Sequence, residues 1–333
     1  MTAVAVIGAG HWGRNLLRNF AALNALAAFH DADPANLEAA RQSYPAAQAC
    51  PNFATILADP TIEAVVIATP AATHGALAQQ ALRAGKHVFV EKPLCLDLAE
   101  GREIEALAKS TNRTLMVGHL LLYHPAFTAL QAFIAKGHIG TLRYIYSNRT
   151  SLGRIRREEN AFWSFAPHDL SMILALVHDM PTQVVCAGSG WLLPNVADTT
   201  LTHLTFPQNV QAHVFVSWLH PYKEHRMVAV GSEGMVVFDD VLEGPQKLVF
   251  YQHKVSWDGE LPSVDRAAAQ PIPYETDEPL ARECQHFLEC LRTGATPRSD
   301  AAQARQVLSV LDAGQRSLVA GGQPMVPTWE SGR

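Results

Sequence analysis

The chain lacks any cysteine framework: Cys50, Cys95, Cys186, Cys284 and Cys290 are odd in number and form no CxxC pair. Neither a disulfide scaffold nor a zinc site is expected, and no other metal site is read from the sequence. It also lacks a long apolar run. Leu120–Leu122 and Met172–Val177 are cut by His, Asp or Ser, well short of the roughly 18 residues of a membrane span. A soluble protein with no membrane partner is expected. The start, MTAVAVIGAGHWG, has no basic region and meets glycine early, which does not read as a signal peptide, so the cytoplasm is the expected compartment. Positive charge is scarce too: 26 Lys and Arg stand against 31 Asp and Glu, a net charge of -5. That balance excludes a general nucleic-acid surface but leaves room for a local anion site.

What the chain does have is length. Its 333 residues are enough for two domains with cores of their own. Ala3–Ile7 is a short apolar run ending at Gly8, followed by an apolar periodic stretch from Asn15 to Leu23, which reads as strand, glycine turn and helix. The alternation continues through strands at Leu26–His30, Ala64–Ala68, His87–Val90 and Thr114–Val117, with helices at Pro34–Gln42, Thr73–Ala84 and Leu98–Ser110. Near-continuous apolar strands separated by helices predict an α/β unit, a doubly wound parallel Rossmann sheet, over residues 1–119.

Beyond about residue 140 the pattern changes. Strand-like runs at Leu142–Asn148, Gln183–Gly188, Thr200–Phe206, Gln211–Trp218, Arg226–Gly231, Met235–Asp239 and Leu248–His253 often alternate apolar with polar residues. This predicts an α+β domain over 120–333, built on an open-faced, mainly antiparallel sheet, with helices at Pro279–Leu291 and Ala301–Ala313, the second stopped by Gly314. HVFVSW at 213–218 puts bulky residues on both sides, so a homo-oligomer, dimer or tetramer, is expected to cover the open face.

Gly8, Gly10 and Gly13 form GxGxxG directly after the first strand, the spacing that lets backbone N–H groups meet a pyrophosphate at a helix N-terminus. His11 and Trp12 lie inside the same turn. Asp31, 18 residues after Gly13 at the end of the second strand, can accept from both ribose hydroxyls. No Arg stands beside it, so NAD is favoured over NADP. Glu91-Lys92-Pro93 closes the strand at 87–90, where Lys92 can reach a substrate hydroxyl.

GAGHWG, ATPAATH at 68–74, EKPL at 91–94, GHLLLYHPA at 118–126 and GHIGTLRYI at 137–145 resemble the glucose–fructose oxidoreductase, inositol dehydrogenase and rhizopine catabolism family. Within it, residues 147–173 are most similar to the bacterial UDP-N-acetylglucosamine 3-dehydrogenases. The resemblance implies that Lys92 and His168 do the acid/base work, and that Thr69, Pro70, His74 and Glu91 border the cofactor, with His119 on the nicotinamide side. It also implies a UDP-linked amino sugar as substrate and a 3-keto product passed to a partner aminotransferase, for lipid A or surface-polysaccharide precursors. Many relatives carry Asp four residues before the histidine; Ser164 stands there in this chain, and Asp169, read as the next position of an extended segment, points elsewhere. Which of Lys92 and His168 is the base stays open.

Arg143, Arg149, Arg154, Arg156 and Arg157 fall within fifteen residues, and guanidinium forks match phosphate oxygens. Arg149, Arg154, Arg156 and Arg157, with Trp163 and His168, are therefore the expected substrate contacts; Trp218, His220, Lys223 and Arg226 are a second candidate lining. A 3-ketosugar reductase, an inositol or free-sugar dehydrogenase, and a non-catalytic NAD-binding regulator are the alternatives.

Overall fold

Four consecutive apolar residues, Val4–Ile7, leave no polar face, so a strand built from them must be covered on both sides. In the computed structural model, which describes residues 2–153 and 155–329, they form β1 in the middle of a six-stranded sheet. In chain order follow α1 (Gly13–Ala22), β2 (Leu26–His30), α2 (Pro34–Ser43), β3 (Gln48–Ala49), α3 (Phe53–Ala58), β4 (Ala64–Ile67), α4 (His74–Arg83), β5 (His87–Glu91), α5 (Leu98–Ser110) and β6 (Leu115–Gly118). The strand order is β3-β2-β1-β4-β5-β6, and every pairing is parallel. Strand order reverses between β1 and β4, the place where such sheets open a crevice at their carboxyl ends.

The second sheet begins after α6 (Pro125–Ala135), with β7 (Leu142–Leu152). Helix α7 (Ala161–Val177) follows, then β8 (Gln183–Ser189), β9 (Thr199–Thr205), β10 (Gln211–Ser217), β11 (Leu219–Gly231), β12 (Gly234–Asp239), β13 (Leu248–Asp258), β14 (Leu261–Arg266) and β15 (Gln270–Pro271). The path runs β14-β13-β12-β11-β7-β10-β9-β8, with β15 on β13; only β10–β7 is parallel. Burial alternates along β9, so the sheet has one covered face, packed by α7, and one open face. The chain ends in α8 (Pro279–Thr293) and α9 (Ala301–Val319). The α/β Rossmann sheet and the separate, mainly antiparallel sheet are both as expected.

Four readings are corrected. The division is not 1–119 and 120–333: residues 277–308 cluster with 1–123, while 124–276 and 309–333 form the second unit. In the first unit Phe287 of α8 packs against Phe20 and Phe89, supplying core that residues 1–119 do not. Second, the segment around His168 is helical, not extended. Most of α7 is buried, so it shows no polar stripe to betray a helical period, and Pro167 sits inside it. Third, Gly314 does not stop α9 but lies within it; a Cβ there would come 2.6 Å from the Phe162 ring, so the glycine serves close packing. Fourth, Trp218 is not exposed lining but fully buried, with its indole N–H donated to Asp198.

Candidate functional site

In the first unit the site grows from the ends of β1, β2, β4 and β5. Gly8 has φ +95°, and a Cβ on it would lie 2.6 Å from the Ala68 carbonyl oxygen. A Cβ on Gly13 would lie 1.8 Å from Gly8 O. These two glycines are demanded by the turn itself. Gly10 differs: Asn36 Nδ2, 4.0 Å away, is the only nearby atom a Cβ would meet, so its bareness leaves room for a ligand. No side chain caps α1, which starts at Gly13 directly after this open position.

The Asp31 carboxylate accepts from Ala9 N at 2.6 Å and Asp33 N at 2.8 Å, which fixes it at the end of β2. An open glycine, an uncapped helix start and a fixed carboxylate suit the pyrophosphate and ribose of a dinucleotide. Replacing Asp31 by Ala is expected to weaken NAD binding about tenfold, ~1.4 kcal/mol, measured by fluorescence titration; unchanged affinity would remove Asp31 from the site.

Trp12 is not a free wall of the turn. Its indole N–H is donated to Glu91, which also accepts from Lys92 N at 3.3 Å, so the residues expected to touch the cofactor from β5 and the glycine turn are tied together. Glu91 is nearly buried, and burial pushes its carboxyl up to about 7 against the pull of Trp12 and Lys92. Beside it Glu283 of α8 is fully buried, and burial together with the Glu91 charge holds its carboxyl well above the usual range. A raised acid pKa means that the folded chain keeps a proton the unfolded chain loses near 4.5. Stability from Glu91 is therefore full below that pH and declines as pH rises to about 7, by about 3 kcal/mol. Glu91→Gln, which keeps an acceptor for Trp12, is expected to flatten this loss and to raise Tm at about pH 8; parallel Tm–pH curves for both proteins would contradict it.

His74 opens α4 with its ring buried between two carbonyls, Nδ1 at 2.7 Å from Pro93 O and Nε2 at 2.8 Å from Thr69 O. The Lys92–Pro93 peptide is cis. Thr69 Oγ1 lies 2.7 Å from Thr73 Oγ1, whose hydroxyl donates to Pro70 O at 2.8 Å. His119, after β6, is buried with Nδ1 2.6 Å from Gln303 Oε1, and burial lowers its pKa to about 4, so it stays neutral. Gln303 went unrecognised in the sequence because it returns on α9, 184 positions away. His11 is exposed in the turn.

In the second unit, Asn160 caps α7 by accepting from Trp163 N at 3.1 Å, and Gln315 Oε1 receives both Asn160 Nδ2 at 2.8 Å and Trp163 Nε1 at 3.1 Å. Gln315, unsignalled by any motif, thus orients the expected substrate tryptophan. His168 is half-buried two turns into α7; Ser164 lies one turn earlier and is buried. Asp169 points away from His168, toward β7.

The arginine cluster does not act as one surface. Arg149 is buried, donating from Nε at 2.7 Å and Nη2 at 3.2 Å to Asp169, which also accepts from Ser147 Oγ at 2.6 Å. The expectation that Arg149 meets phosphate is therefore corrected: a fully buried carboxylate has claimed its fork. Arg156 Nε is paired with Glu159 at 3.0 Å. Arg157 is exposed, and Arg154 lies outside the described residues. In the other lining, Arg226 pairs with Asp239 at 2.8 Å. Among the described residues no group of three His, Cys, Asp or Glu side chains comes together as a metal set, and no helix is long and apolar enough to cross a membrane.

A doubly wound parallel sheet with this glycine turn and a fixed carboxylate at the end of β2 is the arrangement of a dinucleotide-binding domain. Residues 2–119 match the oxidoreductase family with an NAD-binding Rossmann fold, and residues 127–237 match the GFO/IDH/MocA C-terminal domain; the chain belongs to that family. It is 29% identical over 255 residues to the scyllo-inositol 2-dehydrogenase (NAD(+)) of Bacillus subtilis, covering 73% of this chain and 71% of that one. It is 25% identical over 305 residues to the UDP-N-acetylglucosamine 3-dehydrogenase of Acidithiobacillus ferrooxidans, covering 91% and 93%. A solved structure from Magnetospirillum magnetotacticum shares 30% identity with a TM-score of 0.80 over 93% of this chain and 98% of its own.

Proposed function

We propose that the chain oxidises the C3 hydroxyl of a UDP-linked N-acetylhexosamine, giving a 3-keto nucleotide sugar for a partner aminotransferase. The similarity to the Acidithiobacillus enzyme carries this reading, because it runs through nearly the whole of both chains, including α7 and the loop before it. NAD supplies the hydride acceptor when bound.

Residues Gly8 to Gly13, with Asp31, hold the dinucleotide. Removing hydride from a secondary alcohol requires its hydroxyl proton to leave, so a base must meet that oxygen and a cation must steady the developing alkoxide. In this reading His168 takes the proton and Lys92 supplies the positive charge. Trp163, held by Gln315, and Arg154 and Arg157 receive the nucleotide sugar. Gln315→Leu is expected to raise the substrate KM several-fold with kcat little changed, since it loosens a binding side chain; a fall in kcat at unchanged KM would contradict that role.

A free polyol is the second reading. It is favoured by the higher identity to the scyllo-inositol enzyme and by the loss of Arg149 and Arg156 to internal ion pairs. Assay of NADH formation across UDP-hexosamines and free inositols separates the two: saturation at low concentration by the nucleotide sugar alone supports the first. The open sheet face presents Tyr144 and Leu201, at 42% and 51% exposure, with Tyr146 stacked on His213. A second copy covering it gives the dimer or tetramer of this proposal; light scattering that finds a monomer at micromolar concentration would overturn it.

A further inference from the structure

We propose that His74 is the positioning residue for Lys92, a doubly protonated cross-brace that ties the Lys92–Pro93 turn to the loop after β4. The inference rests on the reading of Lys92 as the group that meets substrate, and its first test does not. Both ring nitrogens of His74 lie within 2.8 Å of backbone carbonyl oxygens, Pro93 O and Thr69 O. A carbonyl oxygen only accepts, so each contact needs an N–H. A neutral imidazole has one; its other nitrogen would turn a lone pair onto the carbonyl. Only the imidazolium satisfies both contacts.

The braced positions are 5 and 19 residues from His74, and they belong to the two turns that carry Thr69 and Lys92. The ring is 1% exposed, so solvent cannot replace either bond. The charges around it are set by the elements packed on α4. Asp97, Glu100, Arg102 and Glu103 come from the start of α5, Glu91 and Lys92 from the end of β5, and none from β4 or from Ala71–Thr73. Glu100 lies against this end of α4: a Cβ on Gly75 would be 2.1 Å from its Oε1. Burial, with Asp97 and Glu103 beside it, raises the pKa of that carboxyl, and where it is ionised it opposes the unfavourable placement of a cation at a helix N-terminus.

The direct test is nitrogen-15 NMR of the histidine-labelled full-length protein at about pH 8, where an ordinary histidine of pKa about 6.5 is neutral. One ring of the fifteen is expected to keep both nitrogens protonated, and that signal is expected to vanish in His74→Gln. Absence of such a ring, or its persistence in His74→Gln, would overturn the charged brace. The positioning role is read by kinetics. His74→Phe keeps a ring without donors and is expected to lower kcat at least tenfold, while His74→Gln, which still donates N–H, recovers most of it. Equal kcat in all three proteins would overturn the positioning role. Failure of Lys92→Met to slow turnover would instead count against the reading of Lys92, leaving the NMR result standing.

Discussion

Replacing Lys92 by Met is expected to lower kcat by about a thousandfold while leaving NAD affinity within about twofold of the parent. The expectation follows from the proposed role of Lys92 as the cation that steadies the alkoxide, a contribution of about 4 kcal/mol at this fold-change. Met keeps the length and apolar body of the side chain, so the half-buried position stays filled. His168→Asn is expected to cost about a hundredfold or more in kcat, the scale of a lost general base. A Lys92→Met enzyme within tenfold of the parent would place the chemistry elsewhere.

Arg149→Met is expected to destabilise the second unit by about 3–5 kcal/mol, because it leaves Asp169 as an uncompensated buried charge. Asp169 is 0% exposed and takes two bonds from Arg149 and one from Ser147. Replacing both partners by apolar residues, Arg149→Met with Asp169→Leu, is expected to recover much of the loss, since no orphaned charge then remains. Urea midpoints of the three proteins check this. A singly substituted protein as stable as the parent but with a raised substrate KM would return Arg149 to the phosphate.

The positions of Gly8 to Gly13, Asp31 and Lys92 at strand ends could be read from the sequence because each follows its own short apolar run, Val4–Ile7, Leu26–His30 and His87–Glu91. Glu91 was legible only as a neighbour of Lys92; its tie to Trp12 is a contact across 79 positions. Gln303, Gln315 and Glu283 lie on α8 and α9, far along the chain from their partners, and carry no motif. The arginine run misled for a different reason. Sequence shows how many guanidinium groups are near one another, but not that Asp169 and Glu159 neutralise two of them. Helix α7 hid because it is buried nearly all round, which erases the polar face that would reveal its period.

UDP-N-acetylglucosamine deuterated at C3, turned over with NAD and followed by mass spectrometry of the reduced cofactor, tests the account most directly. NADH one mass unit heavier than from unlabelled sugar is expected, with the 3-keto nucleotide sugar as co-product. Saturable turnover that yields unlabelled NADH would contradict oxidation at C3, and no turnover of any UDP-hexosamine by folded, NAD-binding enzyme would contradict the substrate itself.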